Sequence, residues 1–342
     1  MNSGTSSPAT ADVSDGDVKA IDDLRAFYDA FRKELGKIIV GQEMVIEQLA
    51  VSLFSRGHGL LVGVPGLAKT LLIRSLAESL DLSFNRIQFT PDLMPADITG
   101  TDILQETNQP GRRAFDFVPG RVFANFVLAD EINRAPAKTK WALLEAMLVA
   151  HVTVLGRNYP LPLPFFVLAT QNPVEQEGTY PLPEAQLDRF MFLIRVDYPS
   201  VEEEKEIARA TTGGAAPELK ALLGAEEVMR FQELVRRLPV PEHLYDLAVD
   251  IVRRTRPDGE TAPDWLKKWV SWGAGPRAVQ SLILGAKGRA ALYGSYMVRM
   301  EDLEAVAEPV LGHRVLTNFA AQSEGVSSGD IVRRLWKEAN EG

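Results

Sequence analysis

The sequence of 342 residues contains no cysteine, which excludes disulfide bridges, thiolate zinc sites and a cysteine nucleophile. It also lacks long apolar runs: stretches such as residues 165–169 fall far short of the roughly 18 residues that a membrane-spanning helix needs. Basic residues are in deficit, with 37 Lys and Arg against 46 Asp and Glu and a formal net charge of −9. Nucleic acid and anionic membranes are therefore not expected as general partners.

The amino terminus has no basic residue before Lys19 and no apolar segment of the kind found in secretory signals. We therefore expect a soluble, cytoplasmic protein. Apolar residues make up 46% of the chain and charged residues 24%, which are the proportions of a globular protein. A chain of 342 residues is long enough for two domains.

Three segments of different pattern divide the chain. Residues 1–17 are small, polar and acidic, and are predicted to form a disordered tail. In residues 18–212 short apolar runs alternate with helical patterns, which predicts an α/β domain whose parallel sheet is covered by helices on both faces. Residues 213–342 show only helical patterns and are predicted to form a smaller all-α domain.

The strands of the α/β domain are predicted from short apolar runs, at residues 59–62, 84–89, 126–129, 165–170 and 191–196. Residues 151–159 have the pattern of a β-hairpin. A helix is predicted over residues 137–149, and four of its apolar side chains at helical spacing are expected in the core: Trp141, Leu144, Met147 and Leu148.

Residues 63–70 (GVPGLAKT) match the phosphate-binding pattern Gly-x-x-x-x-Gly-Lys-Ser/Thr, except that Ala68 replaces the second glycine. In such a loop the backbone N–H groups and the helix N-terminus face the phosphates. Lys69 would bridge the β- and γ-phosphates, and Thr70 would give an oxygen to Mg²⁺. Taken alone, the segment is also compatible with an ordinary strand–turn–helix junction.

Two carboxylates, Asp130 and Glu131, follow a buried strand. The strand delivers them to the carboxyl edge of the sheet, where ligands bind in open α/β folds. There Asp130 can hold Mg²⁺ through water, and Glu131 can activate an attacking water molecule. The alternative is a helix N-cap with a first-turn charge, but the position of the pair downstream of Lys69 favours catalysis.

Three more residues are candidates because of their surroundings. Asn172 precedes Pro173, which favours an extended backbone and lets the amide point off a strand tip, although Asn-Pro is also typical of a turn. Arg189 lies between a helical segment and a strand. Arg277 lies in a first helical turn, where a cation is unfavourable unless an anion or solvent is nearby. For both arginines a solvated surface position is the alternative.

Together, several segments resemble the MoxR family of AAA+ ATPases, in the expected order from about residue 20 to the C-terminus. Ala68 is common in that family, whereas residues 119–122 (PGRV) match it less well. The resemblance is carried by the loop at 63–70 and by residues 39–43 (IVGQE), 88–100 (QFTPDLMPADITG), 128–135 (LADEINRA), 169–173 (ATQNP) and 183–190 (PEAQLDRF).

The resemblance implies an AAA+ P-loop domain followed by a helical lid, and an enzyme that hydrolyses ATP with Mg²⁺. It implies that Glu131 is the catalytic base, Asn172 the sensor that orients water, Arg189 the arginine finger offered to a neighbouring subunit, and Arg277 the second-sensor arginine of the lid. Thr70 and Asp130 would hold the metal. The nucleotide would contact Ile39 and Val40 at its adenine, and further Gly41, Gly63, Val64, Pro65, Gly66, Leu67, Ala68, Lys69, Thr70 and Leu71.

The family also implies partners. Its members form rings, usually hexamers, and act as chaperone-like ATPases that remodel client proteins, often by inserting a metal or cofactor, and commonly beside a von Willebrand factor A domain protein. Residues 101–120 and 152–161 resemble inserts that would contact clients. Two alternatives are a DNA motor, which the acidic balance disfavours, and a scaffold that binds ATP without turnover, which the intact Glu131, Asn172 and Arg189 disfavour.

Overall fold

The computed structural model describes residues 15–64, 66–67, 69–106, 113–173, 180–213 and 217–341. The elements follow in the order α1 (Asp15–Leu35), α2 (Glu43–Phe54), β1 (Gly59–Gly63), α3 (Lys69–Ser79), β2 (Phe84–Gln88), α4 (Pro95–Thr99), β3 (Gly100–Glu106), β4 (Arg113–Pro119), β5 (Phe126–Asp130), a 3₁₀ turn (Ile132–Arg134), α5 (Ala137–Val149), β6 (His151–Val154), β7 (Arg157–Pro160), β8 (Phe166–Gln171), α6 (Glu184–Leu187), β9 (Phe192–Val196), α7 (Val201–Thr212), α8 (Ala225–Arg237), α9 (Glu242–Arg254), α10 (Asp264–Trp269), β10 (Val270–Trp272), α11 (Pro276–Leu292), α12 (Met300–Leu311), β11 (Leu316–Thr317), α13 (Phe319–Ser323) and α14 (Ser328–Glu341).

The central sheet has five parallel strands in the order β2-β5-β8-β1-β9. In the register of the sheet, Gly59 at the start of β1 pairs with Leu168 of β8 and with Phe192 of β9. Because the strands are parallel, the residues that follow β1, β5 and β8 meet at one edge of the sheet. All five predicted strands are found, each within about one residue of its predicted ends.

Both faces of the sheet are covered, because alternate residues along each strand point to opposite sides. Leu61 and its neighbours on one face pack against α2 and α3, in a core that continues into the C-terminal helices. Leu60 and its neighbours on the other face pack against α5. The predicted α/β layering is confirmed.

The C-terminal domain consists mainly of helices α8–α14, as predicted, with α11 packed against α2, α9 and α12. Arg289 on α11 joins this domain to α2, because its guanidinium bonds both Glu47 (2.9 Å) and the buried Asp302 (2.7 Å). The prediction of helical structure alone is wrong in one detail: β10 and β11 form a short antiparallel pair. Runs of two or three residues are too short to carry a readable alternation.

The first helix begins at Asp15, earlier than the boundary at residue 17 that the composition suggests. Asp17 lies in this helix, and its carboxylate pairs with Arg237 at 2.6 Å. That tertiary contact is invisible in composition. Residues 1–14 of the predicted tail lie outside the described residues.

Two hairpins stand beside each other away from the sheet. One is β3–β4, which occupies most of the segment 101–120, and the other is β6–β7, which confirms the predicted hairpin. Phe117 of the first stacks on Tyr159 of the second, with ring centroids 3.7 Å apart. Residues 107–112, between β3 and β4, lie outside the described residues.

The prediction for α5 is half right. Leu144 and Met147 are buried as expected, but Trp141 is 47% exposed and Leu148 is 51% exposed. The buried stripe of the helix runs instead through Lys140, Leu143, Leu144 and Met147. Trp141 and Leu148 are seven residues apart, so they share a flank beside that stripe. None of the helices in the described part of the chain has the length and apolar character needed to cross a bilayer.

Candidate functional site

The loop between β1 and α3, predicted to bind phosphate, contains two positions that require glycine in the part that is described. A Cβ at Gly63 would lie 2.7 Å from the carbonyl oxygen of Val196, and Gly66 has φ +88°, so both positions require glycine. Lys69 is the first residue of α3, and its Nζ donates to the carbonyl of Gly63. Pro65 and Ala68, both predicted to contact the nucleotide, lie outside the described residues.

Lys69 lies in reach of the two carboxylates predicted from the sequence. Partial burial lowers the pKa of Lys69, while the charges of Asp130 and Glu131 act in the opposite direction. The three side chains therefore share one electrostatic site at the carboxyl edge of the sheet. Thr70, also in the first turn of α3, is half-buried.

Asp130 is the last residue of β5 and is held from two neighbouring strands. The Thr170 hydroxyl of β8 donates to its Oδ1 at 2.6 Å, and Arg86 of β2 donates to its Oδ2, with Nε at 3.0 Å. The same Thr170 hydroxyl accepts the backbone N–H of Glu131 at 2.9 Å. Thr170 therefore fixes both acidic residues through one hydroxyl group.

Glu131 has a left-handed backbone, with φ +55° and ψ +48°, which is uncommon for a residue with a side chain and typical of functional sites. Its Oε2 accepts from Gln88 Nε2 at 2.8 Å and from Arg134 Nη1 at 3.0 Å. It precedes the 3₁₀ turn but makes no capping hydrogen bond with its side chain. The alternative role as a helix cap is therefore not what this carboxylate does.

Asn172 directly follows β8, the strand that lies between β5 and β1. It is therefore placed between the acidic pair and the phosphate loop, and it is 6% exposed. Its neighbours at 174–179 lie outside the described residues. The predicted order of the motifs along the chain thus becomes a side-by-side arrangement in space.

The residues predicted to contact adenine lie beside a cavity at the same sheet edge. Val40 lines a space of about 420 Å³ together with residues after β9, such as Tyr198, and with Ala305 and Glu308 of α12. Ile39 is buried in the core. Gly41 has φ +68° and is approached so closely by the Glu203 side chain that a Cβ would lie 2.1 Å from Oε1. Leu71, in the first turn of α3, is 43% exposed.

Arg189 lies at the opposite edge of the sheet. It comes just before β9, whose first residue Phe192 pairs with Gly59, the start of β1, whereas the phosphate loop begins at the other end of β1. A strand of five residues spans roughly 16 Å. The guanidinium of Arg189 points to α5, where Nη1 donates to the Leu144 carbonyl at 3.0 Å and Cζ lies 4.6 Å from the ring centroid of Trp141.

Arg277 lies beside Arg189 rather than beside Lys69. Its guanidinium is 3.6 Å from Asp188 Oδ2, and Asp188 is the residue before Arg189. Burial and the charge of Arg277 both lower the pKa of Arg189. Asp188 is the anion that the helix-terminal position of Arg277 requires. The structure thus gathers the six candidates into two groups: Lys69, Asp130, Glu131 and Asn172 at one edge, and Arg189 and Arg277 at the other.

Sequence reasoning missed several residues that build this arrangement. Three of them bond the acidic pair from neighbouring strands: Gln88, Arg86 and Thr170. Such contacts depend on which strands are neighbours and on their register, and no local sequence motif indicates them. Arg314 of the C-terminal domain is buried and bonds Asp188 through Nε at 2.8 Å. No local pattern around Arg314 indicates that partner, which lies more than a hundred positions away in the chain.

Comparisons with known proteins agree with this geometry. Residues 58–192 match the model of the ATPase family associated with various cellular activities (AAA), and residues 267–335 match that of the AAA lid domain. The chain is 45% identical over 302 residues to Chaperone MoxR1 of Mycobacterium tuberculosis, covering 88% of this chain and 79% of that protein. It is 30% identical to Protein MoxR of Methylorubrum extorquens, covering 83% and 86% of the two chains.

A solved structure from Cytophaga hutchinsonii, assigned as an ATPase, superposes with a TM-score of 0.85 at 39% sequence identity, covering 93% of this chain and 96% of that one. The match therefore includes both the sheet domain and the helical lid. With relatives at this level of identity and coverage, the chain belongs to the MoxR family of chaperone-like AAA+ ATPases.

Proposed function

We propose that this protein hydrolyses ATP at sites shared between neighbouring subunits of a ring. The observation that carries the proposal is the separation of the two groups of functional residues. The phosphate loop and the acidic pair lie at the carboxyl edge of the sheet, and Arg189 with Arg277 lie at the amino edge. Neither group is complete for phosphoryl transfer, so a second copy must supply the arginines. We propose that the assembly is a closed ring of six subunits.

Within one site, the chain's own groups have separate tasks. The N–H groups at the start of α3 and the Lys69 ammonium bind the phosphates. Glu131, held by Gln88 at 2.8 Å, accepts the proton of the attacking water. Asn172 orients that water, and Val40 borders the space for the base. The arginines of the neighbour stabilise the charge that develops on the transferred phosphoryl group.

Mg²⁺ fits the donors that are present. Thr70 offers a hydroxyl and Asp130 a carboxylate, and Mg²⁺ prefers oxygen ligands, with one or two carboxylates plus substrate phosphates. These two residues would hold the ion, which when bound neutralises phosphate charge. Thr170 fixes the orientation of the Asp130 carboxylate for this task.

The work done with this energy is proposed to be the remodelling of a client protein in the cytoplasm, such as metal or cofactor insertion or complex maturation. One relative is named a chaperone, and we propose a von Willebrand factor A domain protein as a partner. The hairpins expose apolar side chains fit for contacting a client: Leu104 is 52% exposed, Phe115 61% and Leu155 75%.

The shared site is tested by mixing two inactive variants. Lys69→Ala removes the phosphate ligand but keeps Arg189, and Arg189→Ala keeps the phosphate loop but removes the finger. Each alone is expected to lose hydrolysis, by about 10³–10⁵-fold for Arg189→Ala, which should still bind ATP. Mixed under conditions of subunit exchange, the variants should recover part of the activity.

Mixed rings can be verified by native mass spectrometry with one variant isotopically labelled. Background activity in verified mixed rings would contradict a site shared between subunits. Substantial activity in Arg189→Ala alone would contradict the role of this arginine.

A further inference from the structure

Trp141 is a large aromatic side chain that is not buried in the core of its own chain. It is 47% exposed on the flank of α5, although an indole ring is normally well buried in a folded domain. Among the described residues, the side chain that contacts the face of its ring is Arg189, whose Cζ lies 4.6 Å from the ring centroid. This distance is within the range of a cation–π contact.

In the described part of the chain, no carboxylate forms an ion pair with Arg189. Nη1 donates to the Leu144 carbonyl at 3.0 Å, and Nε is buried without a hydrogen-bond partner in the described part of the chain. The nearby Asp188 carboxylate bonds Arg314 at 2.8 Å. The ring of Trp141 and one helix carbonyl therefore set the direction of Arg189.

An aromatic ring contacts the flat face of a guanidinium, whereas the N–H donors of the group lie in its plane. A carboxylate would occupy two of the five coplanar N–H donors, whereas an aromatic ring contacts only the face of the guanidinium. In Arg189 the Leu144 carbonyl takes one donor of Nη1 and Nε is buried, so the donors that can meet an anion are those of Nη2 and the second one of Nη1. Burial and the nearby charge of Arg277 lower the pKa of Arg189, and the opposing charge of Glu145 on α5 does not offset them. A guanidinium held in this way is ready to receive a phosphate along its edge.

We propose that Trp141 is a positioning residue for Arg189, and that it orients the guanidinium toward the nucleotide of the neighbouring subunit. This inference rests on the proposed shared site. Trp141 does not contact the reacting atoms in this role. By restricting the conformations of the Arg189 side chain, Trp141 favours the geometry that stabilises the transition state.

The size of a cation–π contact sets the expected effect. Estimates of about 0.5–2 kcal/mol correspond to about 2- to 30-fold in rate. Trp141→Ala should lower the rate of hydrolysis by that factor and leave ATP affinity unchanged. Trp141→Phe should restore most of the rate, whereas Trp141→Leu, which is apolar but not aromatic, should behave like Trp141→Ala. Leu148→Ala is the matched control, because Leu148 is 51% exposed on the same flank.

The mixing experiment separates this role from a general effect on folding. Trp141→Ala is added either to the Lys69→Ala subunit, which lends the finger, or to the Arg189→Ala subunit, which supplies the site. Recovered activity should fall about 2- to 30-fold in the first mixture and stay unchanged in the second. A structural defect would lower both.

An equal loss in both mixtures, or full activity in the first, would overturn the role of Trp141. So would a Trp141→Leu variant as active as Trp141→Phe. The proposed function is judged separately, from the mixture without any Trp141 change. If that mixture shows no recovery in verified mixed rings, the shared site fails, whereas recovery there makes the two Trp141 mixtures decisive.

Discussion

Arg314 offers a direct test of how the helical lid is fastened to the sheet domain. Its side chain is 2% exposed, and it donates to Ser281 Oγ of α11 at 3.4 Å and to five acceptors around the start of β9 and the end of α12. These five acceptors are Asp188 Oδ1 and the carbonyl oxygens of Asp188, Phe190, Met191 and Val310. Arg314→Met keeps an unbranched apolar stem of similar bulk and removes every side-chain donor.

The expected loss of stability follows from what the replacement leaves behind. The Asp188 carboxylate, which is 28% exposed, loses its buried partner. The carbonyls of Phe190 and Met191 each lose one donor, and Phe190 keeps its contact with the His313 ring. Breaking a buried charge pair by removing one partner is worth about 3–5 kcal/mol, and each buried acceptor left without a donor adds to that. We expect the free energy of unfolding to fall by about 3 kcal/mol, the lower end of this range, because Asp188 is 28% exposed and keeps Arg277 at 3.6 Å.

Arg277→Met is the matched control, since Arg277 contacts the same Asp188 but is 51% exposed and 3.6 Å away. An exposed pair of this kind contributes about 0–1 kcal/mol. The assay is equilibrium unfolding in urea, followed by circular dichroism and by tryptophan fluorescence. Similar values for the two variants, or a loss below about 1 kcal/mol for Arg314→Met, would refute the view that burial decides the strength of these two contacts.

Two further predictions concern single side chains. Glu131→Gln keeps the contact with Gln88 but cannot accept a proton, so ATP should bind normally while steady-state hydrolysis falls by about 10²–10⁴-fold; a rate near that of the wild type would point to another base. His58, which accepts from the Val167 N–H and donates to the Met147 carbonyl, has its pKa lowered by burial from 6.5 to about 4. The unfolded chain therefore binds a proton between these values while the folded chain does not, and stability falls as the pH drops through this window. The stability difference between the wild type and His58→Gln should shrink by about 3 kcal/mol between pH 7 and pH 4, and a constant difference would show that His58 is not held neutral.

The sheet domain could be predicted from the sequence because its strands are short apolar runs bounded by polar residues. Residues 126–129 illustrate this, since the run ends in Asp130 and is predicted as a strand that delivers a carboxylate to the sheet edge, as the structure confirms. The partners of that carboxylate could not be predicted in the same way. Arg86 and Thr170 reach Asp130 only because β2, β5 and β8 are neighbours in that order.

The same distinction explains the errors. Trp141 has the spacing of a core residue on α5, but spacing shows only which residues share a helix face and not how far the burial of that face extends. In the structure Lys140 is buried, whereas the neighbouring Trp141 is 47% exposed. Arg277 could be recognised as an unusual cation in a first helical turn. Its place beside Arg189 depends on how the lid packs, through contacts such as Arg314 with Asp188, that join residues far apart in the chain.

The position of the lid links the two edges of the sheet. On one side, Ala305 and Glu308 of α12 line the cavity next to Val40, where the base of the subunit's own nucleotide would lie. On the other side, Arg314 forms an ion pair with Asp188, the residue before Arg189, which we propose acts on the neighbour's nucleotide. Arg314 follows directly after α12 and donates to the Asp188 carbonyl. The helix that borders the cavity beside Val40 and the backbone that carries Arg189 are therefore joined by direct contacts.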